Sequence, residues 1–279
     1  MNRGTAHSMI SPTPRLTWDE LPAAVRAEVT RRTGTVHHAE PISAGLSAQF
    51  TAHLDTAEGQ VFLKVTPGER AAAARREAQI NTHVAAIAPR LRWEFETAGS
   101  HVLGFDHVTG RRAELTPGSP HLALLTTTLT QLAAIPAPPS CRHIDDRWAD
   151  AAYTATTDPA LFAGSTLLHT DLNPHNILVT DRAALLVDWS WPTQGAAWID
   201  TACAALWLIA EGHTPAQAES WAANVPTWPT TSPDAIDAFT AVNTLLWYEI
   251  AENDPQRWKQ QVHSAASAWR TYQRAKDRH

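Results

Sequence analysis

The sequence predicts an α+β protein of two lobes, a small antiparallel β-sheet lobe with one helix followed by a larger, mainly α-helical lobe. Two observations predict it. Up to residue 107 the chain is built of short β-rich pieces separated by turn formers, interrupted by one strongly helical stretch. From residue 108 onward it becomes mainly helical, and one short hairpin-like stretch interrupts the helical pattern. The expected boundaries are therefore 1–107 and 108–279.

The first element is a helix. Thr17 and Glu20 match a capping box, Pro22 suits a first turn, and Leu21, Val25 and Val29 recur at helical spacing until Gly34 stops it. The period then changes. "TVHHAEPI", "AQFTAHLD" and "QVFLKV", separated by "SAGLS" and "TAEG", read as three antiparallel strands. Residues 68–87 are helical in composition, and "RLRWEFET" and "HVLGFDHV", joined by "AGS", read as a further hairpin.

The second part opens with the turn-forming "TGRRAELTPGSP". A helix over 121–136 and a proline-rich loop from Ile135 to Ser140 follow. Three later helix starts pair a capping residue with proline: Thr214-Pro215, Ser232-Pro233 and Asp254-Pro255. "NILVT" and "AALLVDW", flanking Asp181-Arg182, form the hairpin inside the helical part. The 12 tryptophans are read mostly as core.

Composition excludes several classes. The chain is 44% hydrophobic and 18% charged with a net charge of -6, an ordinary globular balance with no basic arm for nucleic acid. No apolar run approaches the length of a membrane span, and no signal peptide is visible, so no membrane partner is expected. Cys141 and Cys203 are distant and lack metal spacing, so a reducing cytoplasm is the expected location. Lysine is scarce: Lys64, Lys259 and Lys276 are the only three.

The hairpin stretch holds the chemistry. In "LLHTDLNPHNILVTDRAALLVDWSW", His169 and Asp171 precede Asn176 in an H-x-D-x-x-x-x-N pattern, and Asp188 follows Asn176 by 12 positions. Polar residues among leucines and valines need a reason beyond folding. Phosphoryl transfer supplies one: an aspartate takes the proton of the attacking hydroxyl, and an asparagine and a second aspartate hold magnesium. By this reading Asp171 is the base, Asn176 and Asp188 are the Mg2+ ligands, and His169 braces the loop. A metal-dependent hydrolase using His169, Asp171, His175 and Asp188 as ligands would explain the loop alone.

These residues resemble the aminoglycoside phosphotransferase and choline kinase superfamily, which has a protein-kinase-like fold. Its loop commonly reads H-G-D-L-x-P-x-N-I-L; here it is H-T-D-L-N-P-H-N-I-L, with Thr170 at the glycine. Its D-F or D-W, often followed by glycine, appears as Asp188-Trp189-Ser190. The resemblance spans about residues 35 to 250 and implies a first lobe that binds nucleotide, ATP or GTP, and a second that binds the acceptor. Lys64, in "VFLKV" on the third strand, matches the phosphate-binding lysine, and Glu77, on the next helix, its orienting glutamate. Gly45 and Ser47 in "SAGLSAQF" take the place of a phosphate-covering loop. "GFDHVTG" is similar to the hinge, where the Asp106 carbonyl and Val108 amide would bond the adenine edge. Asp200 resembles the aspartate that begins a second-lobe helix and braces the catalytic loop.

The acceptor is the least legible part. The resemblance implies a small hydroxylated molecule, an aminoglycoside or other antibiotic, with choline, homoserine or a sugar as the alternative. A catalytically silent, kinase-like binding protein is a further alternative. Glu249, Glu252 and Asp254 are the carboxylates that a cationic acceptor would use.

Overall fold

The computed structural model describes residues 15–42 and 48–276. The chain divides into two compact units. The first comprises the described residues up to Ala85, with Pro89–Val108 and Asp188–Ser190; the second comprises Ala86–Ala88, Thr109–Val187 and the chain from Trp191 onward.

The first unit opens with helix α1 (Ala23–Thr33). Thr17 and Glu20 do bond, the Thr17 amide and hydroxyl donating to Glu20 Oε2 at 2.7 and 2.9 Å. They close the turn ahead of the helix, however, and Pro22 occupies the N-cap rather than the first turn. Gly34 ends α1 at φ +71°, and a Cβ there would lie 2.8 Å from that of Ala57, so both conformation and space call for glycine.

Next come strands β1 (Val36–Pro41), β2 (Phe50–Thr56) and β3 (Gly59–Pro67), helix α2 (Ala71–Asn81), and strands β4 (Leu91–Thr97) and β5 (Ser100–Asp106). The strands form one antiparallel sheet in the order β1-β2-β3-β5-β4. The period of two sorts β3 cleanly. Leu63 and Val65 join Phe50, Ala52, Leu54 and Val102 against Leu21, Val25 and Val29 of the α1 region. Phe62 falls on the other face, with Leu103, Phe105 and Ala74 and Ala78 of α2. Lys64 shares that second face by alternation.

The helical composition of residues 68–87 overstates α2. A 3-10 turn over Gly68–Arg70 leads into the helix, which stops at Asn81. The Asn81 side chain bonds forward instead, donating to the Pro89 carbonyl at 2.8 Å and accepting from the Leu91 amide at 2.6 Å.

The second unit runs through β6 (Arg111–Arg112), α3 (His121–Leu132), β7 (Arg142–His143), α4 (Ile144–Ala155), β8 (Thr166–Leu168), β9 (Ile177–Val179), β10 (Ala184–Leu186), β11 (Thr193–Gly195), α5 (Ile199–Ala210), α6 (Pro215–Ala222), α7 (Pro233–Asn253) and α8 (Arg257–Lys276). The expected hairpin is β9–β10; β6 adds a third strand to it, and β7, β11 and β8 make a second small sheet that the sequence did not signal. Helix α3 stops four residues short of Pro136, whose ring denies a helical amide and which bridges to Thr166 instead. Thr214 and Ser232 cap α6 and α7 as their sequences predict, Thr214 through a full capping box with Gln217. Asp254 does not start α8, which begins at Arg257; its carboxylate accepts from Lys259 at 2.6 Å.

Helix α5 is buried from Ile199 to Ile209, as its nearly all-apolar sequence requires. Trp148, Trp198, Trp228 and Trp269 are buried, and the rings of Trp148, Trp198 and Trp269 surround Phe239 at centroid distances of 5.8, 5.9 and 5.7 Å. Among the described residues no helix is long and apolar enough to cross a membrane.

Candidate active site

In the first unit, β3 puts Lys64 on the face covered by α2, where it is 6% exposed. An ammonium in such a place is costly unless it is paired. Lys64 Nζ donates to Glu77 Oε2 at 2.7 Å and to Asp188 Oδ1 at 2.8 Å. Burial works against the charged lysine, but Asp188 and Glu77 outweigh it and hold its pKa above the ordinary value. Burial, with the Asp188 charge, pushes the Glu77 carboxyl up, opposed by Lys64 and by the Trp189 amide. The Ser190 hydroxyl donates to Asp188 Oδ1 at 2.5 Å, and the Arg76 side chain donates to the Ser190 carbonyl at 3.1 Å. Asp188 itself sits at φ +63°. One cation thus meets two carboxyl groups.

In the second unit, β8 delivers the chain to His169, and Asp200 in the first turn of α5 receives it. Asp200 Oδ2 accepts from the His169 amide at 2.8 Å and Oδ1 from the Thr170 amide at 2.7 Å. The carboxylate is 2% exposed, and burial raises its pKa despite His169 and the two amides. The His169 ring bonds backbone on both sides. Its Nδ1 accepts from the Asp171 amide at 3.3 Å, which leaves the ring hydrogen on Nε2, 3.0 Å from the Val187 carbonyl. A ring so engaged is a brace. Among the described residues there is no group of three or more His, Cys, Asp or Glu placed to hold a metal ion.

Asp171 is exposed, and both its oxygens are oriented. Asn173 Nδ2 donates to Oδ1 at 2.7 Å, and Asn176 Nδ2 donates to Oδ2 at 2.8 Å and to the Asp171 carbonyl at 3.1 Å. Pro174 starts the 3-10 turn over Pro174–Asn176 that brings Asn176 back. Asn173, Arg147, Thr193 and Ser190 were not singled out for roles from the sequence. Asn173 left a signal in its Asn-Pro turn; Arg147 left none.

Neither of these hydrogen-bonded groups includes the remaining candidates. Asp106, at the end of β5, accepts from Arg90 at 2.9 Å, and Val108 ends the first unit. Gly45 and Ser47 lie outside the described residues. Glu249 and Glu252 are exposed on the last turns of α7, and the Asp254 pKa is lowered chiefly by its hydrogen bond from Lys259. No hydrogen bond or ion pair among the described residues joins these three to Asp171.

No protein-family model and no curated protein matches the chain. Solved structures do. A thermostable mutant of aminoglycoside phosphotransferase APH(4)-Ia in its apo form is 14% identical with a TM-score of 0.64, covering 88% of this chain and 97% of its own. A ternary complex of such a mutant with AMP-PNP and hygromycin B gives 14% identity and a TM-score of 0.61, covering 89% and 98%. Choline kinase LicA from Streptococcus pneumoniae is 13% identical with a TM-score of 0.64, covering 89% and 98%. The chain therefore has the α+β fold shared by the aminoglycoside phosphotransferases and choline kinase.

Proposed function

We propose that the protein is a small-molecule kinase that transfers the γ-phosphate of ATP or GTP to a hydroxyl of a small acceptor. The observation that carries this reading is the Lys64–Glu77–Asp188 group, in which a buried lysine is held by two carboxylates at 2.7 and 2.8 Å. A structural ion pair needs one carboxylate. A second one, beside a scarce lysine, makes sense where phosphates and a divalent cation join the group.

In this reading Glu77 orients Lys64 toward the nucleotide's phosphates. Asn176 and Asp188 fit a magnesium site by their donor chemistry. Asn176 turns its Nδ2 to Asp171 at 2.8 Å, which leaves the amide oxygen as its donor atom, and Asp188 adds carboxylate oxygen. Magnesium bound with the nucleotide would neutralise charge on the phosphates. Asp171, its carboxylate fixed by Asn173 and Asn176, accepts the proton of the acceptor hydroxyl as that oxygen bonds to the γ-phosphorus. The bond from the γ-phosphorus to the bridging oxygen breaks, and the nucleoside diphosphate leaves. His169 and Asp200 hold the loop. The Asp106 carbonyl and Val108 amide bond the base.

The structural relatives support two acceptor classes. The complex with hygromycin B supports an aminoglycoside or related antibiotic, and the likeness to choline kinase supports a primary-metabolite alcohol. A panel of aminoglycosides, macrolides, choline, homoserine and simple sugars, incubated with the protein and Mg-ATP or Mg-GTP, distinguishes them by a mass gain of one phosphoryl group. The kinase reading is abandoned if neither Mg-nucleotide raises the melting temperature of the wild type. Nucleotide binding without transfer to any alcohol would favour the silent binding protein.

A further inference from the structure

Thr170 immediately precedes Asp171 and lies at φ +67°. That region is open to glycine but strained for a β-branched residue, so the surroundings must impose it. Asp200 supplies one constraint through the Thr170 amide at 2.7 Å. Arg147, in the first turn of α4, supplies the other. One guanidinium nitrogen donates to Thr170 Oγ1 at 2.8 Å and to Thr193 Oγ1 at 2.5 Å. Thr193 belongs to β11 and pairs with Leu168, the last residue of β8 before the loop. Arg147 therefore ties the side chain of the strained residue to the strand that neighbours its own. Arg147 is half-buried, and a guanidinium partly withdrawn from water favours keeping its N–H groups bonded.

We infer that Arg147 is a positioning residue for Asp171. It grips the Thr170 hydroxyl, holds Thr170 in the left-handed conformation, and so aims the following carboxylate. The inference rests on the kinase reading of Asp171, and it ties the role of Arg147 to the identity of residue 170. With glycine there, the conformation needs no side-chain anchor, and Arg147 loses its positioning task.

The test is a double-mutant cycle on the full chain with Arg147→Gln, Thr170→Gly and the pair. Two quantities are read: phosphate release from Mg-ATP with water as acceptor, and deuterium uptake of the peptide that holds residues 169–171. Arg147→Gln is expected to lower the turnover number by about a hundredfold, the scale of a misplaced catalytic group, while the KM for Mg-ATP moves less than about threefold. Uptake in the loop should quicken by about tenfold. Adding Thr170→Gly should bring both quantities to within about threefold of the Thr170→Gly single variant. Unchanged uptake in Arg147→Gln, or a double variant as impaired against Thr170→Gly as Arg147→Gln is against wild type, overturns the inference. If Arg147→Gln does not fold, Arg147→Lys, which keeps the charge and a donor, must show the same pattern at smaller amplitude. A wild type that neither binds nor hydrolyses Mg-ATP removes the kinase reading, while the uptake cycle still decides whether Arg147 holds Thr170.

Discussion

Asp200 binds two consecutive amides with its two oxygens, His169 N at 2.8 Å and Thr170 N at 2.7 Å, across 31 and 30 residues of sequence. The geometry makes the start of α5 the support for the loop that carries Asp171. Both bonds go to a carboxyl group that is buried, as is the His169 amide, while the Thr170 amide is part-buried. Asp200→Ala should therefore cost about 3 kcal/mol, read from the urea midpoint at unchanged m-value. Asp200→Asn keeps one oxygen acceptor and should cost less. Equal losses in the two variants would mean that volume, not the paired acceptors, matters at this position.

Asp171 and Asp188 should separate by role. On the proposed kinase reading, Asp171→Asn removes the proton acceptor and is expected to lower phosphoryl transfer by about 10²–10⁴-fold, leaving Mg-nucleotide affinity within about threefold. Asp188→Asn removes a carboxylate from Lys64 and, on the same reading, from the proposed magnesium site, and should weaken nucleotide binding as well. Titration calorimetry with a non-hydrolysable nucleotide checks both. If the two variants lose affinity alike, Asp171 is not the base.

Lys64 gives a pH dependence of definite sign. Its pKa is raised in the folded chain by Asp188 and Glu77 against the opposing effect of burial. A raised lysine pKa means that the stability it contributes is complete below the unfolded value of about 10.4 and disappears as pH rises through the folded value. Stability measured as pH rises through about 10.4 and beyond should fall less steeply in Lys64→Met than in wild type. A parallel fall in both would show that Lys64 does not carry the linkage.

Gly104 should not tolerate a side chain. A Cβ there would lie 2.4 Å from the Trp93 ring, which pairs across β4 and β5 and rests on the α1 face of the sheet. Gly104→Ala is expected to destabilise the protein by about 1–3 kcal/mol in thermal or urea melts. Pairing it with Trp93→Leu should recover part of that loss, because the three nearest atoms all belong to the indole.

Local chemistry was legible in the sequence. The caps at Thr214 and Ser232, the stop at Gly34 and the β9–β10 hairpin depend on residues within a few positions of one another. The spacing of Asp171 and Asn176 is of the same kind, since one proline-initiated turn joins them. The placement of Lys64 and Glu77 was within reach because strand alternation and the next helix decide which faces meet. Element ends were less legible: α2 stops at Asn81 because that side chain bonds to Pro89 and Leu91, a competition that helical composition does not register.

What the sequence by itself determined was the order of α1, β1 to β3, α2, β4 and β5, the β9–β10 hairpin, and the residue types proposed for the chemistry, all of which depend on near neighbours and on period. The tertiary structure alone decided which distant groups meet. Asp188 reaches Lys64 across 124 residues, and Arg147 reaches Thr170 across 23. The composition of neither segment requires its partner. Each contact exists because burial leaves a charged or strained group needing hydrogen bonds, and only the packed chain determines which group is close enough to supply them.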